Sequence, residues 1–294
     1  MSFVIMTDTS SNITAARARK LNIELIPFYY YVDGKECCCD SKSGQKFDAD
    51  RYYKMLGDGI DVKTSQITPQ RFEEAFEKVL VGGSDLMFIS MSSGISGSCG
   101  SAKSAAQKLS EKYPERKIRV IDSLGASFGE GILATEASKM RAKGMCFDDV
   151  YENILDMRDR LYQVFTVDDL MFLKRGGRLS SIAAGIGSIL NIKPILKGDR
   201  DGKIVAFTKV RGRKKSIEAL AEKYNALVEQ QAVQTVYIAH CGCKQDAITL
   251  AGLIKKIKPP KSIAVADYEP VTGSYVGPGA LALFFLSHYG ACNE

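Results

Sequence analysis

The stretch Asp85-Leu86-Met87-Phe88-Ile89-Ser90, continued by Met91-Ser92-Ser93-Gly94-Ile95-Ser96-Gly97-Ser98, decides the fold class. Its first half is a short, almost wholly apolar run, the pattern of a strand buried on both faces. Its second half is a turn of small hydroxyl-bearing residues and glycines, after which the sequence predicts a helix through about Lys112. Strand, hydroxyl-rich turn and helix make one β-turn-α unit, and the chain repeats that unit on either side.

Upstream, Phe3 to Thr7 reads as an apolar strand, and Asp8-Thr9-Ser10-Ser11 supplies N-cap side chains for a helix through about Leu21. Ile23 to Val32 is strand-like and closed by Asp33-Gly34. Residues 48–57 read as a helix, and Pro69 opens another to about Leu80 from a first-turn position that tolerates proline. Downstream, Lys117 to Ile121 forms a strand ending at Asp122-Ser123, and helices follow over about 127–143 and 147–160. Such repetition predicts an α/β fold whose N-terminal part is a mostly parallel sheet with helices on both faces. Ligands of such sheets meet the carboxyl ends of the strands, which here carry Asp8, Ser10, Ser90 to Ser96 and Asp122-Ser123.

The second half changes character. Gln163 to Val167 reads as a strand, and Lys193 to Lys197 and Lys203 to Lys209 as a hairpin about Gly198-Asp199-Arg200-Asp201-Gly202. A helix over about 213–230, a strand Thr235 to His240, a helix over about 244–257 and a strand Ile263 to Ala266 follow. Gly277-Pro278-Gly279 then leads into an apolar segment read as a terminal helix. The expectation is two α/β domains, residues 1–160 and 161–294, the second with a mixed sheet.

Length agrees with two domains, since 294 residues exceed the usual size of one. A hydrophobic share of 45% and a charged share of 25% are those of a folded globular chain and exclude long disorder. The N-terminus reads as a first strand rather than a signal peptide, and no apolar run approaches the length of a membrane span. A cytoplasmic protein without stable membrane insertion is expected. Its eight cysteines are therefore expected as free thiols. Neither Cys37-Cys38-Cys39 nor Cys241-Gly242-Cys243 has C-x-x-C spacing, so no metal site is expected. The formal charge of +6 is spread along the chain apart from Lys209 to Lys215, and no nucleic-acid-binding module accompanies it. Attraction to phosphate or to an acidic partner is the simpler account.

Two segments could hold an anion. Thr64-Ser65-Gln66-Ile67-Thr68-Pro69 and Ser92 to Ser98 each set small hydroxyls and backbone N–H groups at a helix start, where a carboxylate or phosphate is favoured. Plain N-capping is the alternative for each. Ser96 as a nucleophile is a second alternative: a serine-dependent hydrolase of small esters would need a histidine, and only His240 and His288 exist. The G-x-S-x-G elbow is not matched, because Ser98 replaces its last glycine. Gly129-Glu130-Gly131 resembles a dinucleotide fingerprint by letters but falls at or inside a helix start, and Gly185-Ile186-Gly187 lacks a third small residue in register. No Walker A motif is present. Arg175 and Arg178 flank two glycines that force a tight turn; with Arg211 and Arg213 they form a basic set suited to bidentate contact with phosphate or a partner's carboxylates.

Taken in order, Asp8-Thr9-Ser10-Ser11, Thr64-Ser65-Gln66, Ser92-Ser93-Gly94-Ile95-Ser96-Gly97, Leu173-Lys174-Arg175-Gly176-Gly177-Arg178-Leu179, Arg211 to Lys215 and Gly277-Pro278-Gly279 resemble the DegV family over nearly the full length. Members of this family serve as the fatty-acid-binding subunit of bacterial fatty acid kinase. The resemblance implies a long-chain fatty acid in a hydrophobic tunnel between the domains, with no other cofactor. Its carboxyl group would be bound by hydroxyls matching Thr64 and Ser96, with Ser65 and Ser93 nearby, and phosphorylated by a separate kinase catalytic subunit. Arginines matching Arg178 and Arg211 would help engage that kinase. The chain would thus be a carrier rather than an enzyme. One position departs from the family: Tyr275 stands where members commonly carry the histidine of His-x-Gly-Pro-Gly. A phenol can donate a hydrogen bond to a carboxylate, which makes Tyr275 a further carboxylate-binding candidate, but it does not become a cation near neutral pH.

Overall fold

The computed structural model describes residues 2–38, 47–179 and 191–288. In chain order the elements are β1 (Phe3–Asp8), α1 (Ala15–Leu21), β2 (Ile23–Ile26), β3 (Tyr29–Val32), β4 (Lys35–Cys38), α2 (Ala49–Gly57), β5 (Val62–Ser65), α3 (Pro69–Val81), β6 (Asp85–Ser90), α4 (Ser98–Lys112), β7 (Ile118–Asp122), α5 (Phe128–Ala142) and α6 (Phe147–Arg160). They continue as β8 (Leu161–Thr166), α7 (Met171–Arg175), β9 (Ile192–Gly198), β10 (Ile204–Arg211), α8 (Arg213–Leu227), β11 (Thr235–His240), α9 (Lys244–Ile257), β12 (Ser262–Asp267), α10 (Pro270–Val276) and β13 (Leu281–Leu286). The chain forms two compact units, residues 1–46 with 63–158, and residues 47–62 with 159–294.

The first unit is built on a parallel sheet of order β2-β1-β6-β7. All six residues of β6 are buried, so both faces of the central strand are covered. Helices α3 and α4 pack on β6 and β7, and α1 and α5 on β2 and β1. The α3 face is anchored by the rings of Phe72, Phe76 and Phe88, whose centroids lie 5.0 to 5.4 Å apart. A small sheet of order β4-β3-β5 carries Thr64 and Ser65.

The second unit holds a mixed sheet of order β10-β9-β8-β13-β11-β12, in which only β11 and β12 run parallel. Its core centres on Phe285, whose ring lies 5.2 Å from that of Tyr224 and 5.4 Å from that of Tyr162. The Tyr224 hydroxyl, polar and deep, is satisfied by the carbonyl of Lys258 at 2.8 Å. Helix α2 packs here as well: Tyr52 and Tyr53 donate to the carbonyls of Pro270 and Tyr268 at 2.8 and 2.7 Å. A Cβ on Gly273 would stand 2.2 Å from the Tyr53 hydroxyl oxygen, so glycine is what lets α10 approach that ring.

Three expectations are corrected. The apolar segment after Gly279 is not a helix but β13, paired with β8 and β11 at the centre of the mixed sheet. A strand covered on both faces loses its polar alternation, and a short apolar run then reads equally as helix. His288, expected on that helix, follows the strand and is exposed. The strand expected over 23–32 divides at Pro27 into β2 and β3 of two different sheets, because proline has no N–H for a ladder. Phe28 N–H is taken instead by Thr9 Oγ1 at 2.9 Å. Cys39, Ser180 and Gly185-Ile186-Gly187 lie outside the described residues; among the described ones Cys37, Cys38, Cys99, Cys146, Cys241 and Cys243 are reduced cysteines, none in a disulfide.

Candidate functional site

In the first unit the structure joins the two hydroxyl segments. Half-buried Thr64 and Ser65 end β5, and Thr68 caps α3 by accepting from Arg71 N–H at 3.4 Å. Between them, the backbone N–H of buried Ile67 donates to Ser98 Oγ at 3.1 Å. A Cβ on Gly97 would fall 2.0 Å from Gln66 Oε1, so the Gln66 amide lies directly over that glycine. The turn after β6 is ordered from inside: Ser96 N–H donates to the Ser92 carbonyl at 3.1 Å, and Gly94 N–H to Ser92 Oγ at 3.0 Å. Helix α4 has no side-chain cap at Gly97, but Ser98 N–H finds Ser96 Oγ at 3.2 Å. The Ser96 hydroxyl donates to Ser98 Oγ at 3.1 Å, a neutral acceptor rather than the base a hydrolase needs. Asp122, at the end of β7, accepts from Ser93 N–H at 3.2 Å and Leu124 N–H at 3.1 Å, fixing this turn to the next one.

Beneath these turns lies a buried acidic pair. Ser10 Oγ touches Asp8 Oδ1 and, at 3.0 Å, Glu130 Oε2; Thr7 Oγ1 touches Glu130 Oε1 and, at 2.9 Å, the Ile89 carbonyl. One hydroxyl proton cannot serve both the carbonyl and the carboxylate at Thr7, so a protonated Glu130 completes the network. Burial pushes the Glu130 carboxyl well above the ordinary range, and the neighbouring Asp8 adds to it. Burial also lifts Asp8 to about 6, against the hydrogen bonds from Ser10 that pull it down. Gly131 is where α5 meets the turn after β1, since a Cβ there would lie 2.1 Å from the Ser11 carbonyl oxygen.

In the second unit, the basic turn is the end of α7. Gly177 N–H donates to Lys174 O at 3.1 Å and Arg178 N–H to Leu173 O at 3.0 Å, a Schellman closure with Gly177 at φ +70°. Leu173 is buried and Arg175 is exposed, so the closure turns the basic side outward. Arg178 stands 4.4 Å above the ring centroid of Tyr275. Gly277, at φ +76°, and Gly279, at φ +80°, complete the approach of α10 to α7: added Cβ atoms would lie 2.4 Å from Phe172 Cδ2 and 2.2 Å from Asp168 Oδ2. Arg211 ends β10 and is exposed, while Leu179 bridges to Ile204 at the other end of that strand. Arg211 and the Leu179 bridge thus stand at opposite ends of β10. Arg213 is engaged internally, with Asp246 at 2.8 Å and Asp168 at 3.4 Å.

The structure thus groups Thr64, Ser65, Ser93 and Ser96 in one unit, and Arg175, Arg178 and Tyr275 at one corner of the other. Ser98 and Gln66 stood inside the two hydroxyl segments named from sequence, but their contacts with Ile67 and Gly97 arise only where the segments meet. Glu130 was not named as a site residue, although a lone charge in a run of glycine and apolar residues is a signal. Among the described residues no cluster of His, Cys, Asp and Glu could hold a metal ion, and no helix is long and apolar enough to cross a membrane.

These features define a two-unit α/β protein with a parallel sheet in the first unit and a mixed sheet in the second, the fold of solved DegV family structures. The chain belongs to the DegV family: the family model, described as "Uncharacterised protein, DegV family", matches residues 2–288. A DegV domain-containing protein of Clostridium perfringens is 37% identical over 284 residues, 97% of each chain, and one of Lactococcus lactis is 33% identical over 98% of each. Among solved structures, a fatty-acid-binding DegV family protein of Streptococcus agalactiae is 28% identical with a TM-score of 0.84, covering 98% of this chain and 99% of its own. DegV of Bacillus subtilis, a fatty acid binding protein, is 26% identical with a TM-score of 0.82 over the same shares. A Thermus thermophilus DegV family protein, solved for its fatty acid binding, is 25% identical with a TM-score of 0.87 over 98% and 100%.

Proposed function

We propose that this chain binds a single long-chain fatty acid in a buried tunnel and presents its carboxyl group to a separate ATP-dependent fatty acid kinase, which forms the acyl phosphate. The observation that carries the reading is the joining of the Thr64–Thr68 and Ser92–Ser98 segments through Ile67 and Ser98, in a family whose solved members bind fatty acids. Thr64 and Ser96 supply hydroxyls to the carboxyl group, with Ser65 and Ser93 beside them, so that the cost of burying a charged head is met by donors. The tail supplies most of the affinity, at about 0.8 kcal/mol for each buried methylene. Arg175, Arg178 and Arg211 face the kinase. The chain acts as a carrier, and the kinase brings nucleotide and metal.

The test is hand-over. Fatty-acid-loaded protein is mixed with ATP, magnesium and a purified fatty acid kinase catalytic subunit, and acyl phosphate is trapped with hydroxylamine. Hydroxamate formed only when carrier, kinase and ATP are all present supports the proposal. Hydroxamate formed equally without the carrier, or none with any kinase tried, rejects presentation to a kinase.

A further inference from the structure

Gly176 and Gly177 are adjacent glycines with different physical reasons to be there. Gly177 has φ +70° and nothing within 4 Å of an added Cβ, so backbone conformation is what demands it. Gly176 has φ −70°, which any residue adopts, but a Cβ would lie 2.3 Å from Cδ1 and 2.6 Å from Cε1 of Tyr275. Gly176 therefore makes room for a ring. That ring is covered in turn by the guanidinium of Arg178, 4.4 Å from its centroid and within cation–π range. Arg178 also donates through Nη1 to the carbonyl of Gly176. Glycine, aromatic ring and arginine are thus stacked across the junction of α7 and α10, with Gly277 and Phe172 making the reciprocal approach.

We propose that Tyr275 is the positioning residue of Arg178, its ring rather than its hydroxyl fixing where the guanidinium stands on the surface that meets the anionic groups of a partner. This rests on the reading of Arg178 as partner-facing. Arginine loses considerable side-chain freedom when it engages a phosphate or carboxylate, and a guanidinium already stacked loses less. A histidine at this position would, when protonated, set a second positive charge against Arg178; tyrosine keeps the stacked ring neutral.

Two measurements on fatty-acid-loaded protein test this. The first needs no partner: the Arg178 Nε–H signal in arginine-labelled protein, assigned by its loss in R178K, is read for its ring-current shift. Y275F keeps that shift, whereas Y275A and G176A abolish it, the second by pushing the ring out of a turn whose backbone it does not strain. An unmoved signal in Y275A, or a Y275F signal displaced as far as that of Y275A, overturns the proposal. The second is the hydroxylamine assay with carrier concentration varied. Y275A, G176A and R178A raise KM for the carrier roughly three- to tenfold, far more than Y275F, with kcat little changed. The Y275A/R178A double variant is no worse than R178A, and additive losses would contradict the proposal. Failure of the wild-type carrier to support the kinase counts against the function proposed above, and the spectroscopic shift still decides the role of Tyr275.

Discussion

The backbone N–H of Ile67 donates to Ser98 Oγ at 3.1 Å, and Ile67 is buried, so water does not compete for the bond. Through it, the segment bearing Thr64 and Ser65 is tied to the first turn of the helix that follows Ser93 and Ser96. The hydroxyls proposed to meet the carboxyl group therefore depend on a serine that need not touch the ligand.

Ser98→Ala leaves that N–H unpaired in a dry setting, at a cost of about 1–3 kcal/mol. Urea unfolding should show the loss, and the loosened pair of segments should bind oleate roughly tenfold more weakly, one factor of ten per 1.4 kcal/mol. Unchanged stability together with unchanged oleate affinity would show that the two segments are held by other means.

The buried acidic pair predicts a pH dependence of known sign. Both folded-state carboxyls have raised affinity for protons, Asp8 from 3.8 to about 6 and Glu130 well above its ordinary value. The folded chain then binds more protons than the unfolded one, and stability falls as pH rises through that window. Glu130→Gln keeps a neutral donor beside Thr7 and removes one of the two ionisations. Its melting temperature should exceed that of wild type by an amount that grows between about pH 5 and pH 8, reaching a few degrees. A difference constant across that range would mean that Glu130 does not titrate with folding.

The Schellman closure of α7 makes a prediction about backbone sign alone. Gly177→Ala places an L side chain at φ +70° with open space around it, which costs about 1–2 kcal/mol. Gly177→Asn, which tolerates that region better, should lose less in the same chemical unfolding series. Equal losses would point to a steric cause instead.

Much of the architecture was legible because each β-turn-α repeat carries its own punctuation. The run Asp85–Ser90 and the segment Thr235–His240 emerge as strands with the bounds expected of them, and α2 and α9 fall within a residue of expectation. The reading failed where period carries no information: β13 is apolar on both faces, and short α10 is fixed by Glu269, which accepts from Val271 and Thr272 N–H at 2.6 and 2.8 Å, and by the ring of Tyr53. The hydroxyl segments could be named from sequence because hydroxyls before a helix have a local meaning. The stacking of Tyr275 between Gly176 and Arg178 could not, since it arises only when α7 and α10 meet.

If the chain holds a fatty acid by its carboxyl group at Thr64 and Ser96, as proposed, mass spectrometry of an organic extract of the purified protein will find it. One long-chain fatty acid per chain in the wild type, strongly reduced in a folded Thr64→Ala/Ser96→Ala variant, is the predicted result. An extract without fatty acid, and no uptake of added oleate or palmitate, would contradict it.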